Sequence, residues 1–366
     1  SGASNAWAVR GALSETDQPL LAGDPHVELR LPGLFHVSHI KGGDFNVIGG
    51  GLAGVPGVLI GHNEHVGWGV TAGMVDIADC VVETVTEETI GNTLSNIEYV
   101  TPDGPKKLMV FEEEILVRNS EGSRVVMEEI ASSRHGPIVS TPSDSERRII
   151  ALNSTVFDPS PIGKTFIRMM KSESIGTLAA ALSEWPGAPF NFVMADTRGD
   201  IGYQLAGKVM RHSAGGGLLP RDGSKSPGKL ETYTSDQMPS SVNPPSNLIV
   251  SANQAIGGEL ELGEEWAEPR RAERITELLV GSSGHDVESF AEIQTDVYSA
   301  NLVALRDLLL PVVDDIDRRR SLSEWDGQLN SRGDAASFIS YVSNELSDLI
   351  TESIAGLSGV LLQGKR

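Results

Sequence analysis

The 366 residues carry 29 Lys and Arg against 50 Asp and Glu, a formal net charge of -21, with 39% hydrophobic and 22% charged residues. That balance is ordinary for a globular enzyme of one or two structural units with a large core, and it argues against nucleic acid and anionic membrane surfaces as partners, because both need clustered Lys and Arg. No run approaches the ~18 apolar residues of a membrane-spanning helix, and the single Cys80 excludes an intrachain disulfide and a cysteine metal cluster. At the end of an apolar stretch, Cys80 reads as a small buried hydrophobe.

Near the start of the chain, Ser4-Asn5-Ala6-Trp7-Ala8-Val9 reads as an edge strand with Trp7 and Val9 on its buried face. Gly49, Gly51 and Gly54 satisfy G-x-G-x-x-G after the apolar Phe45-Asn46-Val47-Ile48, with Asp76 about 20 residues on. The helix that a dinucleotide site requires is missing, because Pro56 biases Val55 out of the α region and Gly57 follows. These glycines are read instead as a tight turn beneath the active site. Short strands are predicted at 81–85, 149–152, 192–194 and 248–251, and a hairpin at 106–118 and 124–133 around Asn119-Ser120-Glu121-Gly122. The Gly-, Ser- and Pro-rich stretch 205–246 reads as a long loop over sheet edges. Helices are predicted at 177–184, stopped by Pro186 and Gly187, and at 268–280, with Pro269 in the first turn and an Ile275, Leu278, Leu279 stripe. Two more fall at 287–313 and 337–350. Many antiparallel strands with helices packed around them make an α+β pattern.

Ser4 carries the chemistry. If the backbone is cut just before it, the hydroxyl is a nucleophile and the new α-amine its base, with an unperturbed pKa of about 7.7 to 8.0. Its company gives the segment meaning: Asp24-Pro25-His26, Pro56-Gly57-Val58-Leu59-Ile60-Gly61-His62-Asn63, Gly67-Trp68-Gly69-Val70-Thr71 and Arg134-His135-Gly136-Pro137. Further on stand Asn191-Phe192-Val193 with Ala195-Asp196, Gly199-Asp200-Ile201-Gly202-Tyr203, Leu218-Leu219-Pro220, Asn243-Pro244-Pro245 and Ser251-Ala252-Asn253. In this order and spacing the set resembles the β subunit of the penicillin acylase family, N-terminal-nucleophile (Ntn) amidohydrolases that include penicillin, cephalosporin and acyl-homoserine-lactone acylases.

The resemblance implies an Ntn-hydrolase αββα sandwich, two mostly antiparallel sheets between helical layers. Residues 1–3 are then leader or unprocessed residues, 4–285 the Ntn core and 286–366 a helical portion shorter than the family's. It also implies autoproteolytic processing, a heterodimer with an α subunit from the same precursor, and an extracytoplasmic location. In the family's pattern Ala72 matches the residue whose backbone N–H forms half of the oxyanion hole, and Asn253 matches the side-chain amide that forms the other half. His26 matches a position that orients the nucleophile's amine, and Arg274 an arginine that supports the Asn and the amine. The competing readings are a turn-capping amide for Asn253, an exposed loop histidine for His26 and a solvated helix face for Arg274. His62 and Asn63 are read as structural hydrogen-bonders that set a turn.

Asp76, Asp79 and the Ala78 carbonyl match a Ca2+ site of the family, which Glu265 and the Pro220 carbonyl complete together with a ligand from the other subunit. Hard oxygen donors at short spacing suit Ca2+ and not zinc; the alternative is a pair of loop carboxylates capping local turns. Positions that are aromatic in phenylacetyl-selective members correspond to Val27, Ile60 and Ser154, with Val70 and Phe190 also lining the site. Small and aliphatic residues there imply a pocket for a straight or branched acyl chain. The resemblance therefore implies an amidohydrolase acting on a small N-acyl amide, such as an acyl-homoserine lactone, by an acyl-enzyme on Ser4. The alternatives are a β-lactam acylase with aromatic preference, linked to antibiotic biosynthesis, and an unprocessed, inactive homologue that binds without turnover.

Overall fold

The computed structural model describes residues 3–86, 94–120, 122–140, 147–159, 161–212, 217–228, 230–330 and 333–355. Ser1 and Gly2 of the expected leader, Glu121 of the expected turn and 356–366 of the expected helical portion lie outside them.

The strand bearing Ser4, Ala3–Val9, is not at an edge. It is the middle of a three-stranded antiparallel sheet, between Leu248–Ser251 and Leu20–His26. Strand periodicity sends alternate side chains to opposite faces, and here both faces are covered. Trp7 and Val9 pack with Ala272, Ile275 and Leu279 of the helix Arg270–Val280 and with Phe290 of the helix Val287–Gln294. Ala6 and Ala8 face the other way, against Val193, Ala195 and Ile201 of a second sheet. All four of Ala6, Trp7, Ala8 and Val9 are fully buried.

The second sheet has seven strands, in the order Ser240–Val242, Ile201–Ala206, Phe190–Asp196, Val66–Ala72, Ile60–His62, Phe45–Leu52 and Phe35–Gly42. Every pairing in it is antiparallel. Its far face carries Val47, Trp68, Val70, Phe192 and Met194, which pack with Phe166, Met169, Leu178 and Leu182 of the helices Ile162–Met170 and Ile175–Leu182. Helices, three-stranded sheet, seven-stranded sheet and helices follow in that order, which is the αββα sandwich expected of the chain.

On the Ser4 strand the large residues face the helices and the alanines face the second sheet, and glycines let the two backbones approach locally. A Cβ on Gly69 would lie 3.2 Å from Gly23 Cα and 3.4 Å from Ala6 Cβ. The strand Phe45–Leu52 holds Gly49 and Gly51 in the sheet, and no helix follows it before Ile60, so the dinucleotide reading fails as the Pro56 argument requires. The two glycines belong to the strand; Gly54 alone, at φ +81°, makes the turn.

A third sheet pairs Ala78–Thr84 with Arg148–Ser154 antiparallel and with Arg221–Asp222 parallel. Here the expectation for Cys80 is overturned: it is exposed, while Asp79, Val81 and Glu83 point inward. The inward carboxylates survive because each has a cationic or hydrogen-bonding partner. Glu83 accepts from His135 at 2.7 Å, both side chains being fully buried.

The predicted hairpin forms, Met109–Asn119 against Gly122–Ser133, and the stretch 205–246 is interrupted by short strands at Arg221–Asp222 and Ser240–Val242. The predicted helix 287–313 is two, Val287–Gln294 and Ala300–Leu309. Thr295 turns its hydroxyl back onto Ala291 O and Glu292 O, and Ser299 caps the second helix by accepting from Leu302 N–H. The helices Ile162–Met170 and Ile316–Glu324 have no counterpart in the sequence expectations. Gly163 sits in the first turn of one, and the other is a polar Asp-Arg-Arg-Arg-Ser run with Leu322 as its only buried residue. The last helices form a small core of their own around Leu322, Trp325 and Ile339.

Gly69→Val places a branched side chain in the narrowest part of the sheet interface. We predict a loss of about 1–3 kcal/mol from overpacking, measurable by denaturant unfolding; unchanged stability would show that the sheets are not held this close.

Candidate active site

The register of the central strand sets Ser4 opposite Pro25, Ala3 opposite His26 and Asn5 opposite Asp24. On the other side the neighbouring strand ends at Ser251, and Asn253 follows with φ +65°. Asparagine tolerates this left-handed conformation better than most residues, and adopting it brings the side chain back over Ser4. With the Ala3–Ser4 peptide bond intact, the Ser4 N–H donates to Asn253 Oδ1 at 2.8 Å. The Ser4 hydroxyl donates to the Ala3 carbonyl oxygen at 2.7 Å, so it lies against the Ala3–Ser4 bond.

Asn253 is buried and uses both ends of its amide, the Nδ2 group donating to Ala72 O at 3.0 Å. Ala72 closes the strand Val66–Ala72 opposite Phe190. Its carbonyl also receives Asn191 Nδ2 at 3.1 Å. Asn191 in turn donates to Thr71 Oγ1 at 3.0 Å and accepts from Tyr203 OH at 2.7 Å, while Thr71 Oγ1 meets Ser251 Oγ at 2.8 Å. Burial pushes the Tyr203 phenol well above its ordinary pKa, so it stays a neutral donor. These contacts satisfy the polar groups at the end of the sheet interface, where an unpaired one is costly.

The arginine at this site is Arg271, not Arg274. Arg271 donates Nη1 to Ser4 O at 2.9 Å and to Asn5 Oδ1 at 2.7 Å, and Nη2 to Ala252 O at 2.6 Å and to Asn253 Oδ1 at 3.2 Å. Burial draws its pKa below the usual guanidinium value. Arg274 stands three residues on in the same helix and turns toward Asp296, donating Nε at 2.8 Å and Nη2 at 3.3 Å. It also pairs with Glu277 at 3.1 Å and lies 4.7 Å over the Tyr298 ring. The hydrogen bond to Asp296 raises its pKa. Three residues on a helix rotate a side chain by about 300°, so the two arginines address different neighbours.

His26 is half-exposed, with Nε2 3.0 Å from Asp24 Oδ2 and 3.5 Å from Asn5 Nδ2. It flanks Ala3, on the far side of the Ala3–Ser4 bond. His62 and Asn63 set the turn: Asn63 Oδ1 accepts from His65 N–H and Val66 N–H, and its Nδ2 donates to Met170 O and Ser172 O.

The five expected pocket residues divide. Val70, Ile60 and Phe190 share one apolar cluster, with Phe190 edge-on to Trp185 and Phe192 at 6.1 and 6.4 Å. Ile60 also lines a cavity of about 520 Å³ with Leu21, Gly23 and Gly67. Val27 and Ser154 stand apart from this cluster. Val27 is 37% exposed beyond the end of its strand, and the Ser154 hydroxyl is committed to Ile77 O at 2.9 Å and caps the turn that follows.

The expected calcium ligands meet other chemistry. Asp76 Oδ2 is 3.1 Å from His212 Nε2, Asp79 Oδ1 is 3.7 Å from it, and Asp79 Oδ2 is 2.8 Å from Arg221 Nε. Burial raises the Asp76 pKa, and His212 works against that rise. Glu265, Ala78, Asp76 and His212 line one cavity of about 390 Å³. Pro220 is exposed and immediately precedes Arg221. Ca2+ takes six to eight oxygen ligands. An imidazole between the two carboxylates and a guanidinium on one of them do not fit that cage.

The sequence assigned no site role to Arg271, Asn191, Tyr203, His212 or Arg221. Asn191 and Tyr203 stand in quoted motifs, but pattern alone gives no sign of which side chains converge.

A family description, penicillin amidase, matches residues 2–363. The penicillin acylase 2 proenzyme of Pseudomonas sp. (strain SE83) is 29% identical over 364 residues, covering 96% of this chain and 45% of that protein. The acyl-homoserine lactone acylase QuiP of Pseudomonas aeruginosa is 27% identical over 391 residues, covering 98% of this chain and 45% of that protein. Among solved structures, a penicillin G acylase from Alcaligenes faecalis superposes with a TM-score of 0.74 at 19% identity, over 90% of this chain and 60% of that one. The chain spans about half the length of the relatives it matches, and the structural likeness shows the fold.

Arg271→Ala strips donors from Ser4 O, Ala252 O and Asn253 Oδ1, so its melting temperature should fall further than that of Arg274→Ala, with a destabilisation of about 1–3 kcal/mol. Equal losses for the two variants would remove Arg271 from its proposed place as the tie between the strands.

Proposed function

The chain belongs to the penicillin amidase family, and from that premise we propose that it is an amidohydrolase that cleaves a small N-acyl amide through an acyl-enzyme on Ser4. The observation that carries the reading is the pairing at one residue of a main-chain nitrogen held by Asn253 and a hydroxyl held against the Ala3 carbonyl.

Processing comes first. Ser4 Oγ attacks the Ala3 carbonyl carbon, its proton passes to the departing Ser4 nitrogen, and the C–N bond breaks to leave an ester. The broken C–N bond leaves the Ser4 amine free, and water then hydrolyses the ester, releasing the Ala3 carboxylate and restoring the Ser4 hydroxyl. The amine inherits the place of the peptide nitrogen, beside Asn253 Oδ1. In turnover the neutral amine accepts the Ser4 hydroxyl proton as Oγ adds to the substrate carbonyl. The protonated amine then gives that proton to the leaving nitrogen, and water attacks the acyl-enzyme by the same relay in reverse.

The negative oxygen of each tetrahedral intermediate needs donors. Asn253 Nδ2 and the Ala72 backbone N–H are proposed for that role. In the uncut chain Nδ2 lies on Ala72 O, so taking up the role requires exchanging that acceptor for the oxyanion. Arg271, bonded to Ser4 O and Asn253 Oδ1, acts as a positioning residue and takes the part expected of Arg274. His26, beside Ala3 and held by Asp24, is proposed to orient the freed amine.

Val70 and Ile60 support an aliphatic acyl chain, as in acyl-homoserine lactones. Phe190, with Trp185 and Phe192 beside it, keeps an aromatic acyl group, as in β-lactam acylases, as the second reading. An α subunit from the same precursor is the proposed partner: Leu29, Leu31 and Val37 are 101%, 98% and 80% exposed, an apolar surface of the kind a subunit covers. An extracytoplasmic location accords with that reading.

In the fully assembled protein, Asn253→Ala should lower kcat/KM by about 10² to 10³ with the fold kept by circular dichroism. Octanoyl p-nitroanilide should turn over faster than the phenylacetyl compound. The reverse order supports the aromatic reading, and turnover of neither, with the Ala3–Ser4 bond uncut by intact mass, supports the inactive homologue.

The pH profile gives a separate check. Protonation removes the base, so the acylation rate should fall as pH drops through the amine's pKa. A nearby cation lowers an amine's pKa, so Arg271→Gln should move this acidic limb to higher pH. A limb that stays in place would show that Arg271 does not act on the amine.

A further inference from the structure

The polar cluster at Asp76, Asp79 and His212 departs from the calcium cage that the family resemblance implies, and the departure has a chemical direction. One ligand atom from each of the three residues lies within 4.8 Å of the others. The His212 side chain is 5% exposed and that of Asp79 1%. His212 Nε2 and both Asp79 oxygens are nevertheless without a hydrogen bond of acceptable geometry. Buried polar atoms brought together without hydrogen-bonding one another leave a desolvation cost that a shared ligand would remove.

We propose that Asp76, Asp79 and His212 bind a borderline divalent cation of the Zn2+ type, and that this chain has exchanged a calcium site for a nitrogen-bearing one. Around a four-coordinate ion with bonds of about 2.0–2.1 Å, neighbouring ligand atoms stand about 3.3 Å apart. The observed 3.1 and 3.7 Å from His212 Nε2 to the two carboxylates bracket that spacing. Imidazole with carboxylate is a donor set that zinc and its neighbours accept readily, whereas Ca2+ is an oxygen binder.

Arg221 lies on the other oxygen of Asp79, at 2.8 Å, leaving Oδ1 for the ion. It is the outer partner that holds the carboxylate in place. Gly217 keeps the approach to Asp76 open: a Cβ there would stand 2.0 Å from Asp76 Oδ2. The cavity of about 390 Å³ on the same side, with Glu261, Glu264 and Glu265 on its wall, leaves room for a water or a rim carboxylate as fourth ligand.

The consequence is structural. Asp76 lies a few residues beyond Ala72 and is tied through its backbone to Leu262 and Met210. An ion here would fasten the segment leaving Ala72 to the strand Ala78–Thr84 and to His212.

The test uses the untagged, fully assembled protein, stripped with a chelator and titrated separately with Zn2+, Co2+ and Ca2+. Zn2+ should bind with a stoichiometry that drops by one equivalent in His212→Ala and should raise the wild-type melting temperature. Co2+ should give a visible ligand-field absorption that His212→Ala loses. Ca2+ should leave the wild-type melting curve unmoved. His212→Asp, an all-oxygen version, should reverse the preference, weakening Zn2+ by at least 10-fold and gaining a Ca2+ response. A wild-type response to Ca2+ and not Zn2+ overturns the proposal in favour of the family's cation, and no response to any of the three overturns it in favour of neutralisation by Arg221 alone. Neither result bears on the Ser4 chemistry, which is read separately from turnover.

Discussion

One guanidinium holds the candidate centre together. Arg271, in the first turn of a helix outside the three-stranded sheet, reaches Ser4 O, Asn5 Oδ1, Ala252 O and Asn253 Oδ1. Those acceptors belong to the strand that bears Ser4 and to the segment that follows its neighbour. Because the guanidinium fork is planar and its donors point in fixed directions, the four contacts fix the relative position of the two segments. Partial burial strengthens each bond by removing competing water, and it is also what lowers the arginine's pKa.

The same economy of space governs the sandwich. Ala6 and Ala8 on one sheet, and the facing Gly23 and Gly69, let the two backbones come close locally. At the end of this narrow interface lie Thr71, Asn191, Ser251 and Tyr203, every one of them hydrogen-bonded. Their joint effect is to fix the Ala72 carbonyl between two asparagine amides. The end of the Val66–Ala72 strand, where the oxyanion donor is proposed, is therefore positioned by hydrogen bonds that reach it from both sheets.

A contrasting solution appears in the strand Ala78–Thr84, whose inward face carries charge. Glu83 meets His135, and Asp79 meets Arg221 and His212. Removing one partner from such a pair is more damaging than replacing the pair, because a lone buried charge remains. Cys80 faces outward as a direct result of this alternation: a strand that turns Asp79 and Val81 inward must turn the residue between them out.

How much was legible follows from the range over which each signal acts. Ser4, Asn253 and Ala72 stand in motifs whose order and spacing identify the family, and the hairpin, the helix at Arg270–Val280 and the α+β class follow from local periodicity, glycine and proline. Those signals are written in consecutive residues, so the amino-acid order determined them. Which of two arginines in Arg271-Ala272-Glu273-Arg274 faces Ser4, and which side chains stand beside Asp76 and Asp79, depended on contacts between residues far apart in the chain. Arg271 and Ser4 are 267 positions apart, and no local pattern reports such a meeting. Only the packing of helix on sheet, with its choice of helix rotation, decided that Arg271 turns inward and Arg274 toward Asp296. Likewise only the parallel pairing of Arg221 beside Val81 brought a guanidinium onto Asp79.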